Sequence, residues 1–341
     1  MTTDEKPIHP SADDSCQRAA ISRRGAFVAL SVTLVLLALP TGVARAAEPA
    51  PLRVKFTKGQ TLRYVMTINT SLNVTKDGNE LNQSMANDTV FTWKVLDVAQ
   101  DGLATIEQAN ERSRLAMKNP GLEIDLDTAN PADDKERKLP AELQAATRGL
   151  RNMVDKPIEL TVNPRGEIEK IKFSKELLDA VGMTQEFMQF GFKRDKPLKR
   201  LGELGLIALP AKPLAVGEAE EETKSVDSLI AGGAVKYRFK YTRRPDERIA
   251  GRALAKVDYA LDFDPASVKA LGGTKYEVSG SIHVDPSQGV ITGIDFRQVL
   301  GLNLGQATGG LVENGKNEQV LTRTTRLLAE GEDPFAEKPG E

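Results

Sequence analysis

Histidine is rare in this chain, and one copy has neighbours that suggest acid–base chemistry. His283 is one of two histidines in 341 residues, and period-two spacing places Ser281 and Asp285 on the same face of a predicted strand. A Ser-His-Asp hydrolase needs a nucleophile on a strained turn that points at its base, and the chain has no Gly-x-Ser-x-Gly sequence. Side chains on one strand face project side by side, so the triplet favours a structural histidine. A secreted hydrolase that uses His283 is the alternative.

Residues 310–317 nearly match the phosphate-binding sequence Gly-x-x-x-x-Gly-Lys-Ser/Thr. That loop needs a hydroxyl group after the lysine to bind magnesium, and Asn317 occupies this position. It also leads into a helix, whereas residues 319–328 alternate between apolar and polar types as a strand does. The sequence therefore predicts a glycine-rich loop and no nucleotide cofactor.

Acidic side chains are clustered, but their spacing is not that of a metal site. Asp125, Asp127, Asp133 and Asp134 lack the central glycine and the terminal glutamate of a calcium loop. One cysteine and two histidines exclude a Cys/His zinc site, so no metal or cofactor is predicted. A hydrolytic pair of carboxylates stays open as an alternative, because geometry rather than spacing defines such a pair.

One short segment concentrates large apolar side chains in a chain that is only 5% aromatic. Its members are Met183, Phe187, Met188, Phe190 and Phe192. The spacing is typical of an amphipathic helix that covers the concave face of a curved sheet, where an apolar ligand or lipid would sit. The alternative is that these side chains only fill the core.

The charge balance excludes one class of partner. Lys plus Arg number 46 and Asp plus Glu number 48, which gives a net charge of −2. A dedicated nucleic-acid-binding protein needs a basic excess to contact phosphates, so nucleic acid is not predicted as a partner.

The first 46 residues have the features of an export signal. Arg23 and Arg24 precede an apolar run at residues 26–39, which is too short to span a membrane, and Ala44 and Ala46 form a small-x-small cleavage site. The long polar lead and the paired arginines predict twin-arginine export, with general secretion and an uncleaved anchor as alternatives. The export machinery is therefore a predicted partner, and the mature chain is predicted to be periplasmic, cell-envelope or secreted, with no transmembrane span.

The mature chain alternates with period two over most of its length, which is typical of half-buried strands. Residues 52–56 and 62–68 begin the pattern, and two helices are predicted, near residues 140–154 and from Ser174 toward Phe190. Long hairpins of this kind predict a mainly β (α+β) fold with large, curved, antiparallel sheet structure and helices in the middle of the chain.

One turn occurs twice. Residues 162–173 and 284–296 each contain a strand, an Asn-Pro or Asp-Pro turn that ends in glycine, and a second strand that ends in phenylalanine. The repeat predicts two related β-modules, and independent use of a common turn is the alternative. The predicted organisation is a signal at 1–46, a linker at 47–51, a first β-module at 52–173, a helix and connector at 174–209, a second β-module at 210–330 and a disordered tail at 331–341.

These turns also carry a family resemblance. It rests on Phe56-x-x-Gly59, Leu160-Thr161-Val162-Asn163-Pro164-x-Gly166, Leu209-Pro210-x-x-Pro213-x-x-x-Gly217 and Asp285-Pro286-x-x-Gly289. The pattern resembles a family of exported bacterial β-rich proteins of unknown function. The resemblance implies a secreted or cell-envelope protein and transfers no catalytic residue. Together these observations predict a non-catalytic exported protein that binds an apolar ligand, a lipid or a protein partner.

Overall fold

The computed structural model describes residues 49–76, 79–174, 176, 177, 179, 208–227, 234–249, 251–270, 273–303 and 316–336. The strands are β1 (Thr61–Lys76), β2 (Asn79–Val98), β3 (Ala104–Asn119), β4 (Leu122–Asp127), β5 (Ile158–Val162), β6 (Ile168–Phe173), β7 (Ala219–Asp227), β8 (Ala234–Ile249), β9 (Arg252–Phe263), β10 (Gly273–Asp285), β11 (Val290–Asn303) and β12 (Lys316–Leu327). The helices are α1 (Asp134–Arg137), α2 (Ala141–Asn152) and α3 (Pro265–Ala270). Within these described ranges, no helix has the length and hydropathy of a membrane span.

All twelve strands belong to one antiparallel sheet, so the prediction of a mainly β fold with a large antiparallel sheet is confirmed. The strand order is β6-β5-β3-β2-β1-β12-β11-β10-β9-β8-β7, and β4 pairs with β3. The helix α2 lies within the stretch whose spacing predicts one.

The sheet has one apolar face. Side chains directly opposite each other in neighbouring antiparallel strands share a face. One such row of directly opposite residues crosses five strands and consists of Met66, Thr325, Ile294, Ile282 and Val257. The two large buried core clusters lie on this face, which we call the inner face; the opposite one is the outer face.

The sheet curls around its inner face. Five strand spacings separate β5 from β11, which is about 24 Å in a flat sheet. Yet the Val54 amide donates to Pro164 O at 2.7 Å, and the next amide, Lys55, donates to Gly289 O at 2.7 Å. One extended segment therefore connects the turns of two distant hairpins. The prediction that residues 52–56 form a strand is wrong, because these bonds go to turns rather than to a neighbouring strand.

The two edges of the sheet approach each other without forming a ladder. Arg165, in the β5–β6 turn, pairs with Glu222 of β7 at 2.6 Å, and both side chains are mostly buried. The Leu209 amide donates to Arg165 O at 2.7 Å, and Arg165 Nε donates back to Leu209 O at 2.8 Å. The sheet is thus closed by side chains and loops at this end but not by strand pairing.

The two similar turns occupy matching places in the strand order. The sheet contains two runs of five antiparallel strands: one is β1, β2, β3, β5 and β6, and the other is β7 to β11. In each run one of the similar turns joins the fourth strand to the fifth, and a helix precedes the fourth strand. Each hairpin also has a register shift just before its turn. A duplication accounts for this correspondence and stays a prediction.

The predicted disordered tail is wrong for its first part. Phe335 packs its ring against the guanidinium groups of Arg112 and Arg114, 4.8 and 4.5 Å from the ring centroid, and Glu332 pairs with Arg326. These contacts hold residues 331–336 on the outer face. The sequence did not reveal them, because the segment is charged in composition and the partners of Phe335 lie more than 200 residues away in the chain. Residues 337–341 lie outside the described part.

Candidate functional site

Beyond the core clusters, the inner face carries apolar side chains that are only half buried. They lie along the halves of β1, β2, β3, β11 and β12 that are farthest from the segment at residues 52–56. They are Ile68, Leu72, Val74, Met85, Leu115, Met117, Phe296, Leu300 and Leu321. From Ile68 to Val74 this strip runs about 20 Å along β1. One leaflet of a bilayer offers an acyl chain about 15 Å of hydrocarbon, so the strip is long enough for an extended lipid chain.

A single arginine interrupts the inner face. Register places Arg323 opposite Ile68 on one side and opposite Phe296 on the other. The residue is 3% exposed, its guanidinium carbon lies 5.1 Å from the Phe296 ring centroid, and its Nε has no hydrogen-bond partner. No acidic side chain in the described ranges forms an ion pair with it. Burial lowers the pKa of Arg323 from its ordinary value, because removal from water disfavours the charged form of the guanidinium.

Among the described residues, the buried side-chain polar atoms that lack a hydrogen-bond partner all lie on the inner face. In the described part, five buried side-chain atoms have no hydrogen-bond partner, and register assigns all five residues to the inner face. They are Asn119 Oδ1, Tyr241 Oη, Asn317 Oδ1, Arg323 Nε and Thr325 Oγ1. Buried polar groups in native proteins are nearly always hydrogen-bonded. Three of the five, Asn317, Arg323 and Thr325, lie on the inner face of β12, where a ligand or water would provide the missing partners.

Gly280 leaves room for the ring of Tyr259, a side chain that lies near Arg323. Gly280 lies opposite Phe296, and the Tyr259 ring crosses over it so that the hydroxyl donates to Asp295 O at 2.7 Å. A Cβ on Gly280 would lie 2.3 Å from that hydroxyl oxygen. Burial raises the pKa of Tyr259, so the phenol stays neutral near the arginine.

The outer face does not assemble the hydrolase site that His283 suggested. Ser281 Oγ donates to Asp295 Oδ2 at 3.0 Å, whereas His283 Nε2 lies 3.2 Å from Glu247 Oε2. Asp285 accepts from the amides of its own turn instead. Among the described contacts, no hydrogen bond joins Ser281 to His283, so the nucleophile and base of a triad are not paired.

A cavity of about 870 Å³ also opens on the outer face, between the sheet and the C-terminal segment. Three of the charged residues that line it have protein partners: Arg326 pairs with Glu332, His283 with Glu247, and Asp295 with Ser281. Arg252 and Glu330 also line this cavity. In the described part of the chain, the buried side-chain polar atoms without a hydrogen-bond partner lie on the inner face, so the observations favour that face as the ligand site.

The acidic cluster is an ion-pair site. Asp127 pairs with Arg112 and with Arg114, and Asp125 is exposed. No group of described residues could hold a metal ion. Hydrogen bonding to Arg112, aided by Arg114, lowers the pKa of Asp127 well below its ordinary value of 3.8.

This shift predicts a specific dependence of stability on pH. Because the folded pKa is the lower one, the stabilisation by Asp127 is present above about pH 4 and is lost as the pH falls toward the folded value. We expect Asp127→Asn to cost about 1–3 kcal/mol at pH 7, and to lose less stability than the unmodified protein between pH 4 and pH 2. Thermal melts across this range measure both, with Asp125→Asn as the exposed control. Equal pH profiles for the Asp127 variant and the unmodified protein would contradict the assignment.

The other sequence-predicted site residues are not in the described part. Met183, Phe187, Met188, Phe190 and Phe192 lie outside the described residues, as do the export-signal residues Arg23, Arg24, Ala44 and Ala46. The start of the predicted second helix is visible, since Ser174 Oγ accepts from the Leu177 amide at 3.1 Å as a helix cap does.

Sequence reasoning missed Arg323, although a signal was present. Leu321, Thr325 and Leu327 share its parity in the predicted strand, and a lone arginine in such a row is unusual.

Comparisons with known proteins give no assignment. No family model matches the chain, and no curated protein matches it. Among solved structures, the chain is similar to lipovitellin, from a study of lipid–protein interactions, with 9% identity, a TM-score of 0.42, and coverage of 81% of this chain and 26% of that one. The chain therefore spans about a quarter of the lipovitellin chain.

For two further similar structures, the match covers a larger share of the other protein's chain. DynF from the dynemicin biosynthesis pathway of Micromonospora chersina has 8% identity, a TM-score of 0.19 and coverage of 84% and 89%. An outer membrane channel from Pseudomonas putida has 10% identity, a TM-score of 0.21 and coverage of 83% and 98%. All three TM-scores are below 0.5, so none of these likenesses assigns a function.

Proposed function

We propose that this protein is a non-catalytic, exported protein of the cell envelope that binds an apolar or amphiphilic molecule, such as a lipid, on the inner face of its sheet. The single observation that carries the binding role is the strip of half-buried apolar side chains, continuous with the core, that contains unpaired polar atoms. Ligand sites commonly combine an apolar lining with a few such polar groups. The signal-like N-terminus and the resemblance to exported bacterial proteins support export, and the paired arginines Arg23 and Arg24 support the twin-arginine route.

A charge on the strip tests the binding role. Leu72 is half buried on the inner face, and its neighbour Asn73 is exposed on the outer face. We expect Leu72→Asp to weaken binding of the uncharged fluorescent probe N-phenyl-1-naphthylamine at least tenfold, because the probe would have to share its apolar site with a carboxylate. Asn73→Asp adds the same charge one residue away and is expected to leave binding unchanged.

Two results of the probe titration would contradict the proposed binding role of the inner face. Equal weakening by both variants would mean that charge on the sheet, rather than the inner face, governs binding. Absence of probe binding to the unmodified protein would reject the proposed function.

A further inference from the structure

We propose that Arg323 recognises the anionic head group, carboxylate or phosphate, of an amphiphile whose tail lies along the strip from Ile68 to Val74. This inference rests on the proposed function and adds the chemistry of the ligand. It begins from the burial of a cation that has no acidic partner among the described residues.

A buried guanidinium is stable only with compensating partners. Such a group has five N–H donors in a planar fork, and its usual partners are carboxylate or phosphate oxygens. The guanidinium carbon of Arg323 lies 5.1 Å from the Phe296 ring centroid, a contact that uses no N–H group, and the Nε edge of the guanidinium has no hydrogen-bond partner. An anion is therefore the chemical class that this edge fits.

The neighbouring residues fit the same ligand. Ile68 and Phe296, which flank Arg323 across the sheet, provide apolar surface beside the charge. Tyr259 is a neutral phenol near the guanidinium and is fixed by its bond to Asp295 O. On the other side, Thr325 borders a gap of only about 10 Å³, which has room for no more than one water molecule. The head group would thus lie at Arg323, and its tail would extend toward Leu72 and Val74.

The test compares a charged ligand with its uncharged twin. The probes are 11-(dansylamino)undecanoic acid and its methyl ester, titrated into the purified mature protein. We expect the acid to bind at least tenfold more tightly than the ester, since a charge-assisted hydrogen bond has about this effect. Arg323→Met should remove the preference by weakening the acid alone. Arg326→Met, on the same strand but the outer face, should retain it.

A second variant covers the case in which Arg323→Met does not fold. Ile68→Asp places a carboxylate directly opposite Arg323, where it would occupy the guanidinium and abolish the preference for the acid; Asn69→Asp, on the outer face, is its control. Competition by dodecanoate and by dodecyl phosphate, each against dodecanol, identifies the head group, and preference for either anion supports the inference.

The possible failures are distinct. Equal affinity for acid and ester in the unmodified protein, or an unchanged preference in Arg323→Met or Ile68→Asp, would overturn the inference and leave the proposed function standing. Absence of binding by both probes would overturn the proposed function as well.

Discussion

Replacing Arg323 with methionine is expected to stabilise the ligand-free protein by about 1–4 kcal/mol, because methionine fills similar volume without a buried charge. Most substitutions of a residue that is 3% exposed destabilise, so the sign is informative. Desolvation of the guanidinium is the physical cause, and it also lowers the pKa of Arg323.

Chemical denaturation of the ligand-free protein measures this effect. Arg326→Met is the control, because Arg326 is half exposed and its pair with Glu332 is worth about 0–1 kcal/mol. If Arg323→Met is less stable than the unmodified protein, the expectation that the guanidinium is a net cost to the fold is wrong, and Ile68→Asp then decides the ligand-binding role.

Gly280→Ala is expected to cost about 3 kcal/mol or more, at the upper end of the range for overpacked cores. A Cβ at this position would lie 1.9 Å from Asp295 O and 2.3 Å from the Tyr259 hydroxyl oxygen, and the first of these atoms belongs to the main chain. The neighbouring strand or the Tyr259 ring would have to move.

A matched glycine provides the control for this second substitution. A Cβ on Gly293, in β11, would approach no atom closer than 3.6 Å, and we expect Gly293→Ala to change stability by less than about 1 kcal/mol. The measurement is the free energy of unfolding of both variants. Similar values for the two would show that Tyr259 is not packed across Gly280 as described.

The strands were predictable wherever one face is apolar and the other polar. The β5–β6 hairpin, Ile158–Val162 and Ile168–Phe173, follows directly from alternation and its Asn-Pro turn. β7, Ala219–Asp227, was missed because its glutamates are poor strand formers. Two of these glutamates have distant partners that spacing alone does not reveal: Glu222 pairs with Arg165 at 2.6 Å, and Glu220 accepts a hydrogen bond from the Lys212 amide at 3.2 Å.

The candidate site was less predictable than the strands. Alternation assigns Arg323 to the apolar parity of its strand, but only the register with β1 and β11 places it against Ile68 and Phe296. The curl of the sheet depends on contacts such as Val54 with Pro164 and Lys55 with Gly289, which join residues more than 100 positions apart. Neither pairing nor curl is a local property, so sequence spacing alone could not reveal an unpaired cation.

Photolabelling tests the central claim, that the inner face binds an amphiphile, most directly. A fatty acid with a diazirine in its tail is bound to the mature protein and illuminated, and the modified residues are identified by mass spectrometry. Because alternate residues of β1 face opposite sides, we predict adducts at Ile68, Leu72 and Val74 but not at Asn69 and Asn73. Adducts at Asn69 and Asn73, or in the outer-face segment at residues 328–335, would contradict the account.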